Sequence, residues 1–222
     1  MAAIPLQHEI YYPESDGKPM AETELHQDVM IDLIHALQTR YESEPDVQVG
    51  GNLLLYYAEG NPRLCVSPDV YLTRGIPKGR RETYLLWEEG EPPCFIIEVT
   101  SKSTSNEDLD RKKNLYERLG IAEYFLFDPR EEYLHPPLQG YRLKGNRYQP
   151  ISPEGDGSLR SLTTNLILRP EDTNLRLVDA TTGERLPWRM EEARARQTAE
   201  ERARALEEEI ARLRRELERG SG

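Results

Sequence analysis

The chain is poor in cysteine and contains only two, Cys65 and Cys94. They form no Cys-x-x-Cys pair, and no histidine cluster lies near them in the sequence. Disulfide frameworks and structural zinc sites need more thiols, or thiols and imidazoles at closer spacing. The cysteine content therefore predicts buried free thiols in a reducing compartment and argues against a structural zinc site.

Long apolar runs are also missing. No stretch approaches the ~20 apolar residues that a membrane-spanning helix needs. The first residues, MAAIPLQHE, lack the basic segment followed by an apolar one that marks a secretory signal. We therefore expect a soluble, cytoplasmic protein.

An excess of positive charge is missing as well. The 222 residues carry 29 Lys and Arg against 40 Asp and Glu, a formal net charge of −11 at pH 7. Non-specific nucleic-acid binding depends on basic side chains that neutralise phosphates, so bulk binding of this kind is disfavoured. A nuclease is still compatible with this charge if it has a local basic surface and a metal ion that offsets the acids of its site.

The remaining pattern is a mixture of helix-like and strand-like segments. Apolar residues at helical spacing predict a helix over 21–41 and another over 106–119, with Gly120 as the stop of the second. Short β-prone runs, separated by Pro, Gly and Asn, predict strands. They lie at 47–49 leading into 53–57, and at 64–72, 83–87, 94–100, 123–127, 164–168 and 174–179, with a hairpin over 141–151 on a Gly-Asn turn.

The C-terminal segment differs in kind. Apolar residues recur there in alternating steps of four and three, the spacing of a coiled-coil seam: Ala199, Ala203, Leu206, Ile210, Leu213 and Leu217. The seam is short and partly alanine, so we expect a weak or partner-dependent coiled coil. We predict a globular domain over 1–188 and a coiled-coil tail over 189–219. Homo-oligomers could form through the domain or through the tail.

Two acidic residues interrupt strand-like runs. Glu98 lies inside the apolar run 94–100, and Asp69 lies inside the run 64–72. A buried carboxylate is costly unless it is paired or binds a metal. Two acids on neighbouring strands can converge on one divalent cation, and Mg²⁺ takes oxygen ligands. A second Pro-Asp-Val, at 45–47, precedes its strand and ranks below Asp69.

The helix over 106–119 carries a lysine in the centre of its apolar face. At ~100° per residue, Lys112 projects with that face, whose members are Leu109, Leu115, Tyr116 and Leu119. Lys113 projects about a quarter-turn away, and Asp108 lies near the edge of the face. Because this helix follows Glu98 closely, Lys112 can reach the acids if the helix folds back on the sheet.

Simpler explanations compete with each of these assignments. The ammonium of Lys112 could extend past the core to water, and Glu98 could form only a structural ion pair with Lys112. His26, on the apolar stripe of the first helix, is more often a hydrogen-bonded core residue than a ligand. Glu22 projects on the same face and is more often a solvated acid that the helix dipole stabilises.

A basic loop follows the Asp69 run closely. Its residues are Arg74, Lys78, Arg80 and Arg81. Such a run is usually a solvated loop. Its place in the sequence also makes it a candidate contact to a phosphate backbone.

Taken in order, Pro68-Asp69-Val70, IIEVTSKST, DLDRKKNLYERLG and AEYFLFD resemble the Uma family. These are restriction-endonuclease-like proteins within the PD-(D/E)XK nuclease superfamily. The resemblance covers roughly residues 20–180 and leaves out the tail. It implies an α/β (α+β) fold in which a central mixed sheet is flanked by helices, with the C-terminal coiled-coil helix as an addition.

The resemblance also assigns roles to residues. The Asp and Glu of the superfamily motif hold Mg²⁺, and they correspond here to Asp69 and Glu98. The superfamily lysine normally stands two residues after the Glu, where this chain has Thr100. In the Uma pattern the lysine lies on the following helix. The matching residue is Lys112, which the helical face selects independently, and Lys102 is a weaker candidate.

The resemblance therefore implies an endonuclease that hydrolyses nucleic-acid phosphodiester bonds, with DNA as the expected substrate and Mg²⁺ or Mn²⁺ as cofactor. Its catalytic residues would be Asp69, Glu98 and Lys112, and Asp69 and Glu98 would be the metal ligands. Residues that could support these ligands are Glu22, His26 and Asp108. The alternative is a catalytically inactive protein that keeps the nuclease fold as a scaffold and recruits a partner through its tail. The acidic balance and Thr100 favour that alternative.

Overall fold

The computed structural model describes residues 10–15, 23–100 and 106–220, except for the side chains of residues 106–108, 218 and 220. The chain divides into two compact units, the first ending at Leu186 and the second beginning at Pro187. Within the described residues, no helix is long and apolar enough to cross a membrane.

Four helices and twelve strands are present in the described parts of the chain. The helices are α1 (Glu24–Arg40), α2 (Leu86–Glu89), α3 (Asn106–Leu119) and α4 (Arg189–Gly220). The strands are β1 (Val47–Gly50), β2 (Leu55–Tyr56), β3 (Cys65–Val66), β4 (Val70–Arg74), β5 (Tyr84–Leu85), β6 (Phe95–Val99), β7 (Glu123–Phe127), β8 (Leu138–Lys144), β9 (Arg147–Pro150), β10 (Leu159–Arg160), β11 (Leu166–Glu171) and β12 (Asn174–Asp179).

The first unit is built on a six-stranded mixed sheet with the order β1-β4-β6-β7-β8-β9. Neighbouring strands are antiparallel except for the parallel pair β6 and β7. A parallel pair needs a crossover connection, and α3 lies in it. Every residue of β6 and β7 is buried, as expected for strands that are covered on both faces.

The two faces of this sheet pack into separate cores. One core joins the sheet to α1 and to the three-stranded sheet β10-β11-β12, through residues such as Leu33, Val70 and Leu177. The other core joins the opposite face to α3, through residues such as Ile96 and Tyr116. The position of a side chain along a strand therefore decides which helix it meets. The mixed sheet flanked by helices confirms the predicted fold.

Several local predictions are confirmed. The helix over 106–119 and the strand over 123–127 have the predicted bounds. Gly120 follows α3 with a φ of +79°, a left-handed conformation that glycine adopts without strain. The hairpin pairs Lys144 with Arg147 across the Gly-Asn turn. The helix predicted over 21–41 is present as α1 with shorter bounds, Glu24–Arg40, because Thr23 caps its start by accepting a hydrogen bond from the His26 N–H.

Other predictions were wrong. The run 64–72 forms two strands rather than one, and β3 and β4 belong to different sheets. Pro68 lies between them and has no N–H to offer a strand ladder. The run 83–87 forms β5 and then turns into α2, which ends at Gly90 in a left-handed conformation. The short strand β10 was not predicted.

A buried carboxylate ties the central sheet to the segment before β11. Glu123, the first residue of β7, is 1% exposed. It accepts hydrogen bonds from Arg142 Nε at 2.7 Å, from the N–H groups of Leu162 at 3.0 Å and Thr163 at 3.1 Å, and from the Ser161 hydroxyl. Removal of this acid would leave the half-buried Arg142 guanidinium, the buried Ser161 hydroxyl and two N–H groups without their acceptor.

We therefore expect Glu123→Ala to lower the free energy of unfolding by about 3–5 kcal/mol, the usual cost of removing one partner from a buried charged network. Glu44→Ala is the matched control, because Glu44 pairs with Arg74 at 3.1 Å on the surface. Surface pairs contribute ~1 kcal/mol or less. Urea denaturation measures both values, and equal losses would contradict this account.

The division at Leu186 generates a second expectation. A chain that ends at Pro187 should unfold with the same thermal midpoint as the domain in the full chain, because the first unit holds its own cores. Circular dichroism and calorimetry at low protein concentration measure this midpoint. A large drop in the shortened chain would show that the domain depends on α4.

Candidate active site

The two acids selected from the sequence lie on adjacent strands and on the same face of the sheet. Val70 pairs with Ile97 across the antiparallel strands β4 and β6. One further step in this register places Asp69 opposite Glu98, and residues that face each other across an antiparallel pair project from the same side. The neighbouring Ile96 belongs to the core under α3. Both carboxylates therefore project toward the α3 side of the sheet.

Glu98 is almost completely buried and both of its oxygens are engaged. The residue is 3% exposed. Oε2 accepts a hydrogen bond from Lys112 Nζ at 2.8 Å, and Oε1 accepts one from the Tyr116 hydroxyl at 2.7 Å. Burial raises the pKa of Glu98 to about 7, with a further contribution from the charge of Asp69 and against the opposing effect of Lys112. Because burial disfavours the ionised form of Glu98, a nearby cation stabilises its negative charge.

Lys112 points toward the sheet, as its position on the helical face suggested. Its Nζ donates to Glu98 and to the backbone oxygen of Ser67, the latter at 3.2 Å. Its side chain is 14% exposed. Lys113 instead places its ammonium over the ring of Tyr141, 3.7 Å from the ring centre. The two adjacent lysines therefore have different environments, and only Lys112 contacts an acid of the candidate site.

Asp69 is held from two sides. Its Oδ2 accepts a hydrogen bond from the Val99 N–H at 2.8 Å, and His26 Nε2 lies 3.6 Å from the same oxygen. Burial acts to raise the pKa of Asp69, but His26, the Lys112 ammonium and the Val99 N–H together outweigh it and hold that pKa below its usual value. Asp69 is therefore the acid of the pair that keeps its negative charge more readily.

His26 reaches the site from α1, although α1 packs on the other face of the sheet. It lies in the first turn of that helix, where the Thr23 cap fixes the helix start. Asp69 directly precedes β4 and therefore lies at the start of that strand, within reach of the first turn of α1. His26 is 4% exposed. Sequence reasoning ranked it first as a core histidine, and the structure places it against Asp69.

Other candidates are outside what the structure describes or have different surroundings. Glu22 and Lys102 lie outside the described residues, and so does the side chain of Asp108. Thr100 extends the pairing of β6 with β7 by donating its N–H to the Phe127 oxygen at 2.8 Å. Its buried hydroxyl has no hydrogen-bond partner among the described residues. The position of the usual superfamily lysine is therefore occupied by a buried, uncharged side chain.

Sequence reasoning missed the role of Tyr116. Its hydroxyl contacts Glu98, whereas the sequence suggested only an apolar packing residue. Tyr116 lies one helical turn after Lys112, and residues four apart share a helix face. The spacing from Lys112 to Tyr116 could therefore have predicted that both reach the same acid.

Most of the basic loop is engaged within the protein. Arg74 pairs with Glu44, Lys78 donates to backbone oxygens of residues 41 and 42, and Arg81 pairs with Glu89 at 2.6 Å. These contacts stabilise the loop itself. Arg80 is exposed.

A cleft of about 300 Å³ lies beside His26, the residue that contacts Asp69. Its lining residues include His26 and Thr100 from the site and Arg130 and Tyr133 from the loop after β7. Among the described residues, no three His, Cys, Asp or Glu side chains are grouped to hold a metal ion. Within this described part of the chain, a cation at the site would therefore take its carboxylate ligands from Asp69 and Glu98, and the remaining positions would be filled from outside these two side chains.

Comparisons with known proteins agree with the family resemblance and with the fold. The family model Uma2, described as "Putative restriction endonuclease", matches residues 3–169. A crystal structure of a protein described as "a putative nuclease belonging to DUF820" from Anabaena variabilis ATCC 29413 has a similar fold. It is 16% identical, the match covers 66% of this chain and 76% of that chain, and the TM-score is 0.50. Among the curated proteins, none matches the chain.

The structural neighbour supports the fold, and the family match covers most of the first unit, including Asp69, Glu98 and Lys112. The chain therefore belongs to the Uma2 family of nuclease-like, restriction-endonuclease-related proteins.

Proposed function

We propose that the protein is a metal-dependent endonuclease that hydrolyses phosphodiester bonds, with DNA as its expected substrate. The observation that carries the proposal is the buried pair Asp69 and Glu98 on one sheet face, with Lys112 hydrogen-bonded to Glu98. A second acid and a mostly buried lysine would lower the stability of a protein that served only as a scaffold, because each buried charge carries a desolvation cost. Membership of the Uma2 family supports the same reaction class.

The donor atoms at this position fit Mg²⁺ or Mn²⁺. Asp69 and Glu98 offer hard carboxylate oxygens, and an oxygen that accepts one hydrogen bond keeps a second lone pair. Mg²⁺ is commonly held by one or two carboxylates together with water and substrate phosphate, so two protein acids are sufficient. The cation would also relieve the repulsion between the acids that contributes to the raised pKa of Glu98.

When bound by Asp69 and Glu98, the metal would supply Lewis-acid chemistry, lowering the pKa of a bound water and neutralising phosphate charge. The protein's own groups hold the acids in place. The Val99 N–H and His26 fix Asp69, and the Tyr116 hydroxyl fixes Glu98. Groups that are positioned before the reaction need no reorganisation when charge develops.

Lys112 has the electrostatic role in this scheme. Its ammonium is mostly buried and lies beside the acids, so its charge is less screened there than at the surface. It would stabilise the negative charge that develops on the phosphate. The cleft beside His26 and Thr100 would give room for a nucleotide. Arg130 on its lining would be a cationic contact for the backbone phosphates, beside the acids Asp128 and Glu132 of the same lining.

The competing function is a catalytically inactive scaffold with the nuclease fold. The observation that favours it is Thr100, which replaces the usual superfamily lysine with a buried hydroxyl. A scaffold needs no cation at Asp69 and Glu98, so metal binding separates the two functions.

We expect the full chain to bind Mn²⁺ and Mg²⁺ in isothermal titration calorimetry, and we expect Asp69→Ala to abolish this binding. Asp46→Ala is the matched control, because Asp46 stands in the second Pro-Asp-Val but is exposed. That variant should bind metal like the unchanged chain. Absent binding in the unchanged chain, or equal binding in Asp69→Ala, would favour the scaffold.

The adjacent lysines allow a second test. In a metal-dependent cleavage assay on several DNA and RNA substrates, Lys112→Ala should lower the rate about 10²–10³-fold, as is typical when one preorganised charge-stabilising donor is lost. Lys113→Ala should retain the rate and lose only ~0.5–1 kcal/mol of stability from its contact with Tyr141.

Circular dichroism should show that both lysine variants remain folded. Equal losses of activity in the two variants would reject the assignment of Lys112. Full activity in Lys112→Ala would return attention to Lys102.

A further inference from the structure

Helix α4 presents an exposed apolar stripe. All its described side chains from Arg189 to Leu217 are exposed. Four large apolar residues lie along one line and are exposed to between 45% and 70%: Leu206, Ile210, Leu213 and Leu217. An amphipathic helix of this kind gains stability when its apolar stripe is covered.

The types of residue on this stripe indicate what covers it. In the heptad register of the stripe, Ala203, Ile210 and Leu217 occupy the a positions, and the d positions are Ala199, Leu206 and Leu213. A β-branched residue at a with leucine at d favours two parallel strands. The centre of the stripe, Leu206-Ile210-Leu213, follows this rule. The occupant with a matching stripe is the same helix of a second copy.

The charges beside the stripe distinguish the two possible orientations. In a parallel, in-register pair, each g position faces the next e position of the other helix. Arg202 then faces Glu207 of the second copy, and Glu209 faces Arg214 of the second copy. All these contacts join opposite charges. The two-fold symmetry of the pair makes each contact occur twice.

An antiparallel pair that keeps the same six apolar layers has different neighbours. Glu207 would face Glu207 of the second copy, and Glu209 would face Glu209 of the second copy. Like charges placed opposite each other are destabilising. The arrangement keeps two favourable kinds of contact, between Glu200 and Arg214 and between Arg202 and Glu216, but the repulsive ones lie at its centre.

We propose that α4 is a self-association helix, which pairs in parallel and in register with α4 of a second copy of this chain. The six seam residues from Ala199 to Leu217 extend over ~27 Å at ~1.5 Å per residue. The next seam positions toward the N-terminus are Arg196 and Glu192, so the apolar seam ends there. A seam of this length gives a dimer that dissociates on dilution. The parallel orientation attaches both globular units at the same end of the pair.

Contacts within the helix leave this pairing possible. Arg212 contacts Glu209 at 2.7 Å, but both side chains are exposed, and a carboxylate can accept from two cations. Arg202 has no charged residue three or four positions away in the sequence. A change at Arg202 therefore alters the contact between helices and leaves the charge pairs within the helix as they are.

Sedimentation equilibrium of the full chain over a range of concentrations tests the proposal. We expect a monomer–dimer equilibrium, and we expect Ile210→Asp to give a monomer at every concentration. Arg202→Glu should raise the dissociation constant about tenfold, because it turns two attractive contacts per dimer into repulsive ones. The added change Glu207→Arg should restore the constant to within about twofold, since it recreates opposite charges across a parallel pair.

The control is Arg215→Glu, which makes the same change in net charge at position f, away from the seam. It should leave the dissociation constant unchanged. A monomer in the unchanged chain, a dimer that survives Ile210→Asp, or an assembly larger than two would overturn the proposal. Failure of Glu207→Arg to restore Arg202→Glu would overturn the parallel orientation, because Glu207 does not face residue 202 in the antiparallel pair.

Discussion

A carboxylate in the centre of a sheet must find cations and hydrogen-bond donors, or its burial destabilises the fold. In this protein Glu98 meets that requirement with Lys112 and Tyr116, two residues one turn apart on the helix that directly follows its strand. The requirement explains why α3 carries a lysine in the middle of an apolar face. It also fixes the rotation of α3 over the sheet, because another rotation would leave both charges without partners.

The connectivity of the fold brings the second acid to the same place. Pro68 lies between β3 and β4, where the chain crosses to the central sheet, and Asp69 directly precedes β4. The antiparallel register of β4 and β6 then sets Asp69 opposite Glu98. The break between β3 and β4 therefore helps to position Asp69 in the candidate site. Helix α1 packs on the other face of the sheet, and it contributes His26 beside Asp69 at the start of β4.

Much of this arrangement could be predicted from the sequence because it depends on local periodicity. The bounds of α3 and β7, the stop at Gly120 and the direction of Lys112 all follow from spacing along one element. The split between β3 and β4 and the short strand β10 depend on which partner strands are available, and sequence spacing does not contain that information. The contact of His26 with Asp69 depends on the packing of α1 against the sheet, so periodicity identified His26 as inward-facing but not its neighbour.

The central claim is that Asp69 and Glu98 together hold the cation of a nuclease site. Anomalous X-ray scattering from crystals of the full chain grown with Mn²⁺ tests it most directly. The account predicts one anomalous peak at about 2.1 Å, the distance typical of a divalent cation of this size, from an oxygen of each carboxylate. A peak bound by other residues, or crystals saturated with Mn²⁺ that show no peak between these two acids, would contradict it.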